Sequence, residues 1–258
     1  MKTLYANGDS FVFGMECLDH HSRDESNKEF AFPKIIASEL KFDTYINNAY
    51  NGATNSFIFR TVIEDLIQME KEGTRPEDVF VVIGWTSLFR TEVDGLAWHR
   101  PFTKDDATAK LLMTTPYAPV ECRDHGLVFM NPHFESTIVN PKTGQKINPD
   151  DPVLPTLFNY FWTDHVQVPQ HQARLLAMHG FLKSRGYKHL FVNSTLQMPF
   201  TMLDNSPKEF YNLETETFFD WALYNYPASH RDENHFDPTP HKHYGELLVD
   251  YITKNALY

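Results

Sequence analysis

Cysteine is nearly absent from this 258-residue chain, with only Cys17 and Cys122 present. Two thiols so far apart build no disulfide framework and match no zinc-ligand spacing, so a reducing compartment is the simpler expectation. Long apolar runs are missing as well: no window approaches the roughly 20 residues that cross a bilayer. The N-terminus opens directly on strand-like residues, without the charged segment and apolar core of a secretion signal. The expected location is therefore the cytoplasm, with no membrane partner. Basic residues are also few, 23 Lys and Arg against 34 Asp and Glu, a formal net charge of −11. That balance argues against a sequence-independent nucleic-acid binder, which needs a basic footprint. There is no internal repeat, no low-complexity segment, no His-Glu-x-x-His and no Gly-Asn-His.

What is present is enough for a full core. Hydrophobic residues make up 41% of the chain, aromatics included (21 Phe, 12 Tyr, 4 Trp), and the length suits one domain over residues 1–258. Lys2 to Ala6 reads as a buried strand that runs into the turn Gly8-Asp9-Ser10. Polar His20 to Lys28 reads as a surface loop, Phe30 to Leu40 as a helix and Thr44 to Ala49 as a second strand. Thr54 is placed to cap a helix whose apolar stripe is Phe59, Val62, Ile63, Leu66 and Ile67. Asp78 to Trp85 then reads as a strand buried on both faces.

Strands alternating with helices predict a parallel sheet covered on both sides. The alternation breaks at about residues 86–165, a stretch too long for a bare loop. It reads as an insertion with irregular or hairpin structure, with a hairpin tip at Asn140 to Gln145. Regular order returns with a helix from about Pro169 to Ser184, a strand at His189 to Asn193 and a helix from Glu214 to Tyr224. The last helix is expected to start with Thr239 as cap and Pro240 in its first turn. Its apolar stripe is Tyr244, Leu247, Leu248, Tyr251 and Ile252.

A serine at a strand's end can present its hydroxyl on a sharp turn, and acyl chemistry then requires a base, a group orienting that base, and donors for the oxyanion. Strand C-terminal ends of an open parallel sheet are where such groups converge. Ser10 follows the first strand, Gly52 the second, and Gly84 to Ser87 the third, while Asp232-Glu233-Asn234-His235 precedes the last helix.

With Gly8-Asp9-Ser10, Gly52 within Asn48 to Asn55, and Asp232-x-x-His235, the chain resembles the SGNH, or GDSL-like, hydrolases. The resemblance covers both ends of the chain and three strands, leaving out the insertion. It implies a three-layer α/β/α sandwich and acyl transfer through a serine ester, without a cofactor. Carried across by position, Ser10 is the nucleophile, His235 the general acid and base, and Asp232 the carboxylate that orients it. The N–H groups of Ser10 and Gly52 line the oxyanion hole. In the third block the family has Gly-x-Asn; here Gly84-Trp85-Thr86 puts Thr86 in the asparagine position. A hydroxyl donates one hydrogen bond there in place of the amide. Asp9, Asn55, Trp85, Ser87 and Arg90 stand beside these blocks as candidate substrate contacts.

Several alternatives stay open at this level. Asp237 and His241 offer a second carboxylate–imidazole register. His235, His241 and His243, with the two aspartates, have metal-ligand chemistry. Ser38-x-x-Lys41 is read as chance, and Trp98, His99 and Arg100 as part of the insertion's own core or a surface for a sugar. The expected substrate is a small-molecule or glycan ester. Acyl transfer to another alcohol, or binding without turnover, are the competing functions.

Overall fold

Four strands run parallel in the order β2-β1-β3-β8, where β1 is Thr3–Asn7, β2 is Thr44–Asn47, β3 is Val79–Trp85 and β8 is Lys188–Asn193. This arrangement comes from a computed structural model that describes residues 2–19, 24–88, 91–94, 127–130, 138–139, 146–147, 164–195, 207–213, 215–231 and 235–258. β1 is central: Thr3 pairs with Thr44 on one side and Val79 on the other. On the far side of β3, Gly84 pairs with Val192 and Trp85 with Asn193.

Because side chains alternate along a strand, a sheet covered on both faces separates its residues into two sets. Leu4, Ala6, Phe80, Val82, Leu190 and Val192 enter one apolar cluster. That cluster is closed by α1 (Ser10–Phe13), α2 (Phe32–Glu39), α5 (Phe218–Asn225) and α6 (Pro238–Lys254). Tyr5, Val81, Ile83, Trp85 and Phe191 enter the other, against α3 (Asn55–Lys71) and α4 (Asp164–Arg185). Each large side chain so buried contributes about 1.5–3 kcal/mol. The result is the three-layer α/β/α sandwich expected from the alternation.

Helix starts follow side-chain capping, and here three expectations shift. Thr54 does cap α3, accepting from the Phe57 N–H at 3.1 Å. α6, by contrast, is capped by Asp237, whose carboxylate accepts from the Thr239 N–H at 2.7 Å, so Pro238 and not Pro240 opens the helix. α5 begins at Phe218 because Thr217 accepts from the Asp220 N–H at 2.9 Å. α4 starts at Asp164, ahead of Pro169, which therefore lies inside the helix. Leu247 is 37% exposed and drops out of the α6 stripe, which His241 and Gly245 complete instead. Asp24 caps a short 3₁₀ turn at Glu25–Glu29 that buries Asn27, within what reads as a polar loop.

Between β3 and α4, β4 (Thr91–Asp94) pairs antiparallel with β5 (Leu127–Met130), and β6 (Ile138–Val139) with β7 (Lys146–Ile147). The expected hairpin tip at Asn140 to Gln145 lies outside the described residues, as do Trp98, His99 and Arg100.

Three buried histidines carry a consequence for stability. Burial holds His171 down to about 3, His189 to about 4 and His241 to about 3, so all are neutral in the folded protein. In the unfolded chain each titrates near 6.5. As pH falls from 6.5 toward 4, the unfolded state binds up to three more protons, and stability falls with it. The slope is about 1.4 kcal/mol per pH unit for each histidine well inside that window. The urea midpoint is therefore expected to be lower at pH 5 than at pH 7.5, and His241→Gln should flatten that dependence. A midpoint unchanged between the two would contradict the buried neutral histidines.

Candidate active site

The turn after β1 is built around a close approach of two backbones. Gly8 and Gly84, at the ends of β1 and β3, both face Val12 of α1. A Cβ on Gly8 would sit 2.3 Å from Val12 Cγ2, and one on Gly84 2.2 Å from the same atom. Glycine at both positions lets α1 settle directly onto the strand ends. Asp9 then caps α1, its carboxylate accepting from the Phe11 N–H at 3.1 Å, and Ser10 becomes the first residue of the helix.

The partner of Ser10 comes from the other end of the chain. His235 Nε2 lies 2.8 Å from Ser10 Oγ, across 225 residues of sequence. A backbone bond from the Arg231 N–H to the His235 carbonyl at 2.8 Å, together with the bridge between His230 and Phe236, closes the loop that carries it. The Phe11 ring packs on the imidazole with centroids 4.9 Å apart, and His235 is 9% exposed. A hydroxyl and an imidazole at this distance are within the reach that proton transfer from a nucleophile to a base requires.

On the other ring nitrogen stands a residue that sequence reading passed over. Glu16 Oε2 is 3.5 Å from His235 Nδ1. Glu16 is fully buried and adopts a left-handed backbone, φ 64°, unusual for a residue with a side chain. Its sequence signal is faint but present: it is the one charged residue in the apolar stretch Phe11 to Leu18. Asp232, expected to orient His235, lies outside the described residues, as does Arg90.

The loop after β2 is tied to the segment that leads into Ser10. The Asn48 N–H donates to Ala6 O at 2.9 Å and the Tyr50 N–H to Gly8 O at 3.0 Å, fastening the loop to the exit of β1. Gly52 follows two residues later, buried, at φ 78°, a conformation that favours glycine.

Thr86 is placed differently from the expectation. Its hydroxyl donates to Asp9 Oδ2 at 2.7 Å, which spends its single proton and leaves none for an oxyanion. Asn55 in turn clasps the Thr86 backbone, accepting from its N–H at 2.9 Å and donating to its carbonyl at 2.8 Å. Thr86, Asp9 and Asn55 thus brace β3 and α3 against the turn that carries Ser10, and all three side chains are buried. Trp85 is fully buried, packed edge-on against His171 and Phe191. Ser87 is half-buried, its carbonyl 3.5 Å from the Asn55 amide.

The competing readings of the C-terminal block meet the same geometry. Asp237 is occupied as the cap of α6. His241 is buried between Phe32 and Phe218, its Nδ1 3.4 Å from the Phe32 N–H. His243 pairs with Glu246 at 3.1 Å and stacks on Tyr226. Among the described residues no group of three His, Cys, Asp or Glu is disposed to hold a metal ion. Cys17 is buried and its thiol is pushed well up by that burial, an inert position for a thiol. No helix among the described residues is long and apolar enough to cross a membrane.

The chain belongs to a family described as "Family of unknown function (DUF6071)", which matches residues 15–143. The matched stretch contains Glu16, Gly52 and Thr86 but neither Ser10 nor His235. No curated protein matches the chain. Among solved structures, it is similar to the psychrotrophic esterase EstA from Pseudoalteromonas sp., at 12% identity and a TM-score of 0.44, with 100% of each chain covered. It is similar also to TesA, at 14% identity and 0.42, again over 100% of each chain. A third is a G-D-S-L family protein from Desulfitobacterium hafniense DCB-2, at 13% identity and 0.41, over 97% of this chain and 99% of that one.

Proposed function

We propose that this protein is a serine-dependent acyl ester hydrolase, acting on a small-molecule or glycan ester. The observation that carries the reading is the 2.8 Å approach of His235 Nε2 to Ser10 Oγ at the C-terminal edge of a parallel sheet. In the acylation step His235 Nε2 takes the hydroxyl proton while Oγ forms a bond to the ester carbonyl carbon. The carbonyl oxygen becomes an oxyanion, held by the backbone N–H groups of Ser10 and Gly52. The bond to the alcohol then breaks, and His235 returns the proton to the departing oxygen. Water repeats the sequence against the acyl-serine and frees Ser10. With Thr86 bound to Asp9, the oxyanion is left to backbone donors, which suits small activated or acetyl esters better than demanding ones.

A fluorophosphonate tests this directly. Ser10 Oγ forms a bond to phosphorus, fluoride leaves, and the hydroxyl proton passes through His235 to solvent. One covalent adduct mapped to Ser10 by mass spectrometry, together with release of p-nitrophenol from its acetate ester, is the expected result. Folded protein that neither labels at high reagent excess nor cleaves the ester would sink the proposal.

A further inference from the structure

The two ends of the His235 ring face unlike partners. Nε2 meets Ser10, while Nδ1 has no hydrogen-bond partner among the described residues and has the Glu16 carboxylate 3.5 Å away. That separation is longer than the roughly 2.9 Å of a good N–H···O bond, and such contacts in substrate-free sites tighten when the reaction complex forms.

How Glu16 comes to be there is a matter of local chain geometry. α1 lasts only four residues before Gly14 turns left-handed at φ 80°, and the Met15 N–H reaches back to Ser10 O at 2.9 Å. The chain therefore curls beneath the helix that carries the nucleophile. Asn27 pins the returning segment by accepting from the Leu18 N–H at 2.9 Å, and the Arg231 guanidinium donates to Cys17 O at 3.4 Å. Between these anchors Glu16 is held at a positive φ that costs a non-glycine residue on the order of 1 kcal/mol or more. Its carboxylate is also removed from water, which costs several kcal/mol unless a positive or donating group faces it. A strained backbone and a buried carboxylate thus coincide at the residue whose Oε2 stands 3.5 Å from His235 Nδ1.

We propose, resting on the hydrolase reading above, that Glu16 is the residue that positions His235, accepting the Nδ1 proton and so leaving Nε2 free to take the proton of Ser10. The nucleophile and the carboxylate that orients its base then come from one seven-residue turn, with only the histidine supplied by the far end of the chain. During acylation the Ser10 proton moves to Nε2, the Nδ1 proton stays on the ring, and Glu16 remains a carboxylate that stabilises the imidazolium.

Glu16→Gln is expected to slow fluorophosphonate labelling of Ser10 by about 10²- to 10⁴-fold, the range seen when an orienting carboxylate is lost and the wrong tautomer is favoured. Glu16→Asp should recover part of that loss, and Asp232→Asn should cost less than Glu16→Gln. Ring-nitrogen NMR supplies a readout that a merely structural role would not move. In the wild-type chain, neutral His235 should carry its proton on Nδ1, and in Glu16→Gln that preference should fall. A Glu16→Gln variant that labels at the wild-type rate while Asp232→Asn is crippled would transfer the role to Asp232. Nε2-protonated His235 in the wild-type chain overturns the proposal without any variant having to fold. If wild-type protein fails to label at all, the hydrolase reading fails, and the tautomer measurement still decides the place of Glu16.

Discussion

Ser10→Ala is expected to lower the rate of ester cleavage by about 10⁴- to 10⁶-fold with the fold intact. The hydroxyl is the only nucleophile that His235 Nε2 reaches among the described side chains, at 2.8 Å. Removing it leaves whatever the backbone donors and binding contribute to attack by water. His235→Ala should cost a similar amount, because the serine then has no base. The two losses should not add: a double variant should be about as slow as either single one, since the pair acts as a unit. Measured with a p-nitrophenyl ester at matched protein folding, losses that multiplied would mean that the two residues act separately. Retained activity in Ser10→Ala would mean that the chemistry lies elsewhere on the surface.

Gly84→Ala should be strongly damaging for the addition of a single methyl group. The new Cβ would meet Val12 Cγ2 at 2.2 Å and Ser194 Oγ at 2.8 Å, and Val12 is fully buried and stiff at χ1. Something must move, and the element resting on Gly84 is the helix that carries Ser10. Overpacking of this kind costs about 1–3 kcal/mol, sometimes more. For a chain of this size each kcal/mol lowers the melting temperature by roughly 2–4 °C. Ester cleavage should fall beyond the share explained by unfolding, because Ser10 moves relative to His235. Val12→Ala removes the opposing methyl, so the double variant should be more stable than Gly84→Ala alone. That coupling, measured by thermal melts over the four-member cycle, separates a steric clash at Val12 from a general loss of stability. Independent additive losses would show that the clash is relieved by another route.

Much of the sandwich was legible from periodicity alone. β1, β3 and β8 stand within a residue or two of where the apolar runs put them, because a strand buried on both faces must be continuously apolar. The α3 cap at Thr54 was readable for the same local reason. Boundaries failed where two capping residues compete within a few positions. Asp237 and Thr239 both precede prolines, and the carboxylate that reaches the N–H two residues on decides the matter. Thr86 misled for a different reason. Nothing in Gly84-Trp85-Thr86 says that Asp9, 77 residues earlier, takes its proton.

By itself the sequence determined the order of strands and helices, the placing of Ser10 at the end of the first strand, and the histidine ahead of the last helix. These follow from hydrophobic spacing and turn chemistry, which act over a handful of neighbouring residues. Only the tertiary structure decided that Ser10 and His235 meet, that Thr86 serves as a brace, and that a buried Glu16 faces the other side of the imidazole. Those outcomes depend on how a four-residue helix settles onto two glycines and how the chain curls back beneath it. No local pattern encodes that geometry, because it is set by contacts between segments up to 225 residues apart.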